Sequence, residues 1–164
     1  MRTALRPAIT TAALRFPSCY AVLTAAHEGA DHITQRDAHA VAKGKPGPEG
    51  RRACAGHVIE YTAVQAAALL LADRGLRLRL DWRYAAAGLA LSAITHYAAD
   101  RSGGRWGEDP ETQETTRMVR FANNWLGKGT WLQRDPQAGY RYDQAWHKVW
   151  IAVAAGVAAA GGER

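Results

Sequence analysis

Cysteine is scarce: Cys19 and Cys54 are the only two in 164 residues, too few for a disulfide framework and without the paired spacing of a zinc knuckle. A reducing or membrane setting follows. Phenylalanine and methionine are equally rare, with two of each, and no stretch alternates apolar and polar residues as a half-buried strand does. A β-rich fold is thereby excluded. No uncharged run reaches the roughly 20 residues of a free-standing membrane span. The longest are Phe16 to Ala26, Tyr61 to Ala72, Tyr84 to Ala99 and Val149 to Gly162. Signatures of several chemistries are missing as well: no Walker loop, no glycine-rich dinucleotide fingerprint after a strand, no nucleophilic serine elbow. The stretch Met1 to Arg15 has basic residues around a weakly apolar segment but no long apolar core, so no cleaved signal peptide is expected.

What is present fits one domain, residues 1–164 and 17.8 kDa, large enough to bury a core. The chain is 48% hydrophobic and 22% charged with a mean hydropathy of -0.30, neither disordered nor strongly lipophilic. An excess of 21 Lys+Arg over 15 Asp+Glu gives a formal charge of +6, which attracts anionic partners. The basic residues are scattered over loops and no helix-turn-helix is legible, so nucleic acid is not the expected partner.

Four alanine-rich segments, Phe16 to Gln35, His57 to Ala72, Trp82 to Asp100 and Gln144 to Gly161, read as helices. Between them lie a turn-rich stretch containing GKPGPEG, a short arginine-rich connection, and a long loop over 101–143. Within that loop, ETQETTRMVRFANNWLG predicts one amphipathic surface helix with Met118, Phe121, Trp125 and Leu126 on one side and Gly127 as its cap. The expected fold is all-α: an N-terminal tail 1–15 followed by an up-and-down four-helix bundle over 16–161, transmembrane or membrane-associated.

The polar residues of these helices are placed unevenly. Helix one ends with His27, Asp31 and Gln35 at i, i+4 and i+8, which puts all three on one face. Helix three ends with His96 and Asp100 at the same spacing; helix two opens at His57, and helix four opens with Asp143, Gln144 and His147. In an up-and-down bundle these four helix ends meet, and each brings a histidine. The four histidines with Asp31 and Asp100 form a mixed N/O set suited to a divalent transition metal: zinc first, manganese or iron at higher coordination number. One ion with an outer ring of partners and a pair of ions are both open. A polar network that fixes helix register without metal is the competing reading. His32 and His39 fall off this face, and Glu28 and Glu60 are weaker candidates.

Tyr20, Trp82 and Tyr84 lie toward the far end, whereas Trp106, Trp125, Trp131, Tyr140, Tyr142 and Trp146 fall near the histidine end, as an interfacial aromatic belt would. Thirteen of the 21 Lys+Arg, among them Lys43, Arg101 and Lys148, also belong to that end and its loops. Positive-inside reasoning then places it in the cytoplasm.

On His27, Asp31 and Gln35, His57, and His96 with Asp100, the sequence resembles a family of small uncharacterised bacterial and phage membrane proteins with these same motifs. More distantly it is similar to predicted membrane-bound metal-dependent hydrolases. The resemblance covers about Tyr20 to Val153 and extends to Gln144, His147 and the LGKGTW segment at Leu126 to Trp131. It implies a bacterial cell-membrane protein hydrolysing a lipid-like or amphiphilic ester or phosphoester. In that reading His27, Asp31, His96 and Asp100 bind metal, His57 and His147 are ligands or acid–base groups, and Gln35, Gln144 and Asp143 support them. Anionic lipid or an amphiphilic small molecule is the implied partner, with a homo-oligomer compatible. The alternative is a non-catalytic membrane scaffold, small transporter or phage-associated accessory protein built on a structural polar cluster.

Overall fold

The structure, a computed structural model, describes residues 11–103 and 117–161. Among these the chain is all-helical: α1 Thr11–Gly29, α2 Asp37–Ala42, α3 Gly47–Leu76, α4 Trp82–Gly103, α5 Arg117–Asn124, α6 Gly129–Arg134 and α7 Ala138–Ala159. A π-helical turn, Ala30–Thr34, prolongs α1. The first part of the expected tail, Trp106, and the start of the expected surface helix up to Thr116 lie outside the described residues.

Four helices are long, and they pack as neighbours: α1 against α3 and α7, α4 against the same two. Leu23, Leu69, Leu89 and Ile151, with Cys19 and several alanines, fill the space between them. Small residues set the closest approach. A Cβ on Gly88 of α4 would stand 2.5 Å from the Ala154 carbonyl oxygen of α7, so these two helices touch backbone to backbone.

Helix boundaries depart from the sequence reading where proline and glycine occur. The GKPGPEG stretch, expected as a turn, is largely the start of α3, which begins at Gly47 rather than His57. Pro46 is its N-cap and Pro48 lies in the first turn, where a missing N–H leaves no hydrogen bond unmade. Helix α7 likewise begins at Ala138, ahead of Gln144, with the Gln137 N–H donating to Asp135 Oδ1 at 2.9 Å just before it. Helix α1 starts at Thr11, so the last residues of the expected tail are helical, and it carries Pro17 in its second turn.

The expected loop over 101–143 contains α5, α6 and the opening of α7. Gly127, at φ 63°, terminates α5 as expected, and the Lys128 N–H donates to the Ala122 carbonyl at 2.9 Å. The apolar side expected of that helix points outward: Phe121, Trp125 and Leu126 are exposed. Among its described side chains Val119 and Ala122 are buried, and the helix lies against α4.

The outer faces of the long helices are apolar over a wide band, with Ala21 and Ala25 of α1, Ile59, Ala63, Ala67 and Leu71 of α3, Ala90 and Ile94 of α4, and Val149 and Val153 of α7 all exposed. Among the described residues one helix, α3, is long and apolar enough to cross a membrane by length and composition. Meanwhile His27, His57, Gln65, Ser92, His96, Asp100, Gln144 and His147 are buried.

Candidate metal centre

His27 ends the regular part of α1, and the following turn widens so that the Gln35 N–H bonds the Ala30 carbonyl at 2.9 Å. Such π-turns re-aim the side chains that follow. Asp31 stays beside His27, its Oδ2 3.6 Å from Nδ1, while Gln35 swings toward α3. With its amide nitrogen on the Asp31 carbonyl, Gln35 Oε1 accepts from His57 Nδ1 at 3.2 Å and from Lys43 Nζ at 3.1 Å. That contact puts the His57 ring proton on Nδ1 and leaves Nε2 with a lone pair.

His57 Nε2 points at a compact group of donors. It lies 2.9 Å from His96 Nε2, 3.3 Å from Asp31 Oδ1 and 3.6 Å from Asp100 Oδ2. His96 Nε2 is itself 3.5 Å from Asp31 Oδ1 and 3.4 Å from Asp100 Oδ2. Donors about 2.0–2.1 Å from a tetrahedral ion stand about 3.3–3.4 Å from one another, so these separations bracket the tetrahedral value. Asp31 Oδ1 and Asp100 Oδ2 are buried with no hydrogen-bond partner, a costly state for carboxylate oxygens unless a cation joins them. The buried His/Asp groups, Asp31–His57–His96 and His27–His96–His147, could hold a metal ion.

The surroundings hold these donors in place. Tyr61 stacks on the His96 ring at 4.0 Å between centroids, and its hydroxyl meets Ser92 Oγ at 2.7 Å. Asp143 Oδ1 lies 3.4 Å from His147 Nε2, and Gln144 Oε1 3.3 Å from His27 Nε2. The structure therefore brings together His27, Asp31, Gln35, His57, His96, Asp100, Asp143, Gln144 and His147. It differs from the expected allocation in one respect: His57 stands inside the compact donor set and His27 stands one step outside it. His32 and His39 lie off the cluster, as expected, His32 against Tyr140 and His39 packed over Gly56 near Glu60. Lys43 was not legible in advance. Its Nζ lies 3.1 Å from Asp100 Oδ1, placed there because Arg101 Nη1 binds the carbonyls of Lys43 and Lys45 at 2.7 Å each; a lysine in a turn carries no spacing signal for that.

Burial opposes charge on both aspartates, yet the closeness of His57, ahead of His96, His27 and the Lys43 charge, holds Asp31 well below the usual carboxylate range. Asp100 is held at about 2, burial again being outweighed by His96 and by the Lys43 charge. Burial pushes His27 down to about 4 against the pull of Asp31, and lowers His96 as well. At His147 burial also disfavours charge, but the hydrogen bond and charge of Asp143 win and raise it.

A pH dependence follows. Unfolded, His27 protonates near 6.5; folded, it does so at about 4. Between those values the unfolded chain binds more protons, so stability falls as pH drops through that window. His96 has the same sign and His147 the opposite. Urea titrations of the metal-free protein at pH 7 and pH 5 should give the lower unfolding free energy at pH 5; a flat profile would mean that the opposite linkage at His147 offsets that of His27 and His96.

Fold and site together define an all-helical protein with a buried His/Asp cluster of metal-binding composition. It matches no protein-family model, no curated protein and no solved structure.

Proposed function

We propose that this chain is a membrane-seated, metal-dependent hydrolase, an up-and-down four-helix bundle acting on an amphiphilic ester or phosphoester at its histidine-bearing end. One observation carries the reading: His57 and His96 Nε2 stand 2.9 Å apart and each within 3.3–3.6 Å of Asp31 Oδ1 and Asp100 Oδ2, with the Asp143–His147 pair beside them. Asp31, His57, His96 and Asp100 hold the ion, and their tetrahedral spacing suits zinc, with manganese or iron served at higher coordination. The ion supplies Lewis acidity and a water-derived nucleophile at neutral pH. His147, oriented and made more basic by Asp143, carries the proton. The basic loops at this end receive the anionic head group. The resemblance to predicted membrane-bound metal-dependent hydrolases implies the same cluster of residues, with His27 rather than His57 among the ligands.

The apolar exterior, with the polar side chains of the histidine end turned inward, supports seating in a bacterial membrane. The uncharged runs of the four helices are 11–16 residues long, a rise of about 17–24 Å against about 30 Å of hydrocarbon, so the histidine end sits at the interface by local thinning of the bilayer. The basic loops favour the cytoplasmic side for it.

The test is turnover by zinc-loaded protein in detergent on long-chain phosphodiesters, phosphomonoesters and carboxylic esters. His147→Ala should lower the rate by about 10²–10⁴ while the ion held by Asp31, His57, His96 and Asp100 stays bound. A second reading is favoured by the closed, buried four-donor set, which is the form of structural zinc sites: a scaffold whose helices are stapled by metal. Metal that raises the melting temperature with no turnover on any of these substrates would overturn the hydrolase and leave the scaffold.

A further inference from the structure

His27 presents an arrangement that the four-donor site does not use. Its ring is fully buried, and its Nε2 faces Gln144 Oε1 at 3.3 Å. An amide oxygen only accepts, so the ring proton sits on Nε2 and the lone pair on Nδ1. That Nδ1 has no hydrogen-bond partner. What it faces is Asp31 Oδ2, at 3.6 Å: a lone pair against a carboxylate, both withdrawn from water. A separation of 3.6 Å is too long for a hydrogen bond and suits two donors of one cation, each about 2.0–2.2 Å from it. The other oxygen of the same carboxylate, Oδ1, belongs to the compact donor set with His57 and His96.

We infer that the cluster is a two-ion centre in which Asp31 bridges, Oδ1 to a first ion with His57, His96 and Asp100, Oδ2 to a second ion with His27 Nδ1. His147 is the third protein donor of the second ion. Its ring lies 5.0 Å from that of His27 between centroids, and nitrogens of His27, His96 and His147 approach within 4.8 Å of one another. Asp143 then orients a metal ligand, the ordinary outer partner of a ligating histidine, and the acid–base role of His147 passes to water at this ion. The two positions differ in kind. The first is closed by four protein donors, whereas the second has three and keeps room for water or substrate, the form that catalytic zinc sites take. The second ion is thus where the ester or phosphoester meets the protein, and paired ions are a recurrent solution for phosphoester hydrolysis.

This inference rests on the metal-site reading above, and a stoichiometry separates the two. Metal-free protein is titrated with zinc or cobalt by calorimetry and by native mass spectrometry, beside His27→Ala, His27→Gln, His147→Ala and the surface control His32→Ala. Two tightly bound equivalents are expected for the wild type and His32→Ala, and one for each His27 and His147 variant. One equivalent in the wild type, unchanged by His27→Ala, would overturn the second ion and leave the single-ion centre intact. Two equivalents that survive His27→Ala would overturn the ligand assignment. No tight binding in folded wild type would remove both readings. Circular dichroism checks folding, and should the variants unfold, the wild-type count of one or two still decides.

Discussion

His96→Ala abolishes tight metal binding at the position shared by Asp31, His57 and Asp100, whereas Gln35→Leu only weakens it there by about ten- to a hundredfold. The contrast comes from where each side chain acts. His96 Nε2 stands at 2.9–3.5 Å from His57, Asp31 and Asp100, so its removal takes the central nitrogen out of the donor set and leaves two buried carboxylates facing one imidazole. Gln35 touches no ion. It fixes the His57 ring proton on Nδ1, and without it His57 spends time in the tautomer whose Nε2 cannot ligate. Competition against a chromophoric chelator measures both affinities. Equal loss in the two variants would mean that Gln35 is itself a ligand, and wild-type affinity in His96→Ala would sink the donor set. The same binding has a thermodynamic echo: metal at a thousandfold excess over its dissociation constant stabilises the fold by about 4 kcal/mol, so a chelator should lower the melting temperature of wild type by more than that of His96→Ala.

How much of this centre could be read in advance depends on the residue. Spacing alone shows which side chains share a helix face, and it brought His27, Asp31, His57, His96, Asp100 and His147 to one end of the molecule. Spacing is silent on which nitrogen of a histidine points inward, and that is decided by partners: Gln35 for His57, Gln144 for His27. The allocation of ligands therefore shifted although the list of residues did not. The π-turn at Ala30–Thr34 was equally invisible, since one extra residue in a helical turn leaves no mark on composition. The start of α3 differs from the sequence reading, in which Pro46 and Pro48 predict a turn. Proline breaks a helix interior but is at home in a first turn, and only the residues that follow distinguish the two. The exposed apolar faces of α3 and α4 were legible as uncharged runs; that the polar side chains would be the buried ones follows only from packing.

The far end of the molecule depends on Arg15, and Arg15→Leu should cost about 3–5 kcal/mol of stability. Arg15 is 3% exposed. It donates from Nε to the Leu78 carbonyl at 2.7 Å and from Nη1 to the Gly161 carbonyl at 2.6 Å, tying the start of α1 to the chain just past α3 and just past α7. Hydrogen bonds from a charged donor contribute about 1.5–3 kcal/mol each, and leucine would leave both carbonyls buried and unmet. Leu78 also sits between Arg77 and Arg79, both at φ 54°, a left-handed conformation that costs a non-glycine residue about 1–2 kcal/mol. Arg15 and Asp73, whose Oδ1 accepts from the Leu80 N–H at 3.0 Å, hold that connection in place. Because the metal donors gather at the opposite end, Arg15→Leu should lower the urea midpoint strongly while leaving metal affinity within about twofold of wild type. A stability loss under about 1 kcal/mol would show that the 77–79 connection keeps its shape without the arginine. A parallel loss of metal affinity would show instead that the two ends of the four long helices are energetically coupled, and that α1 transmits strain along its length to Asp31.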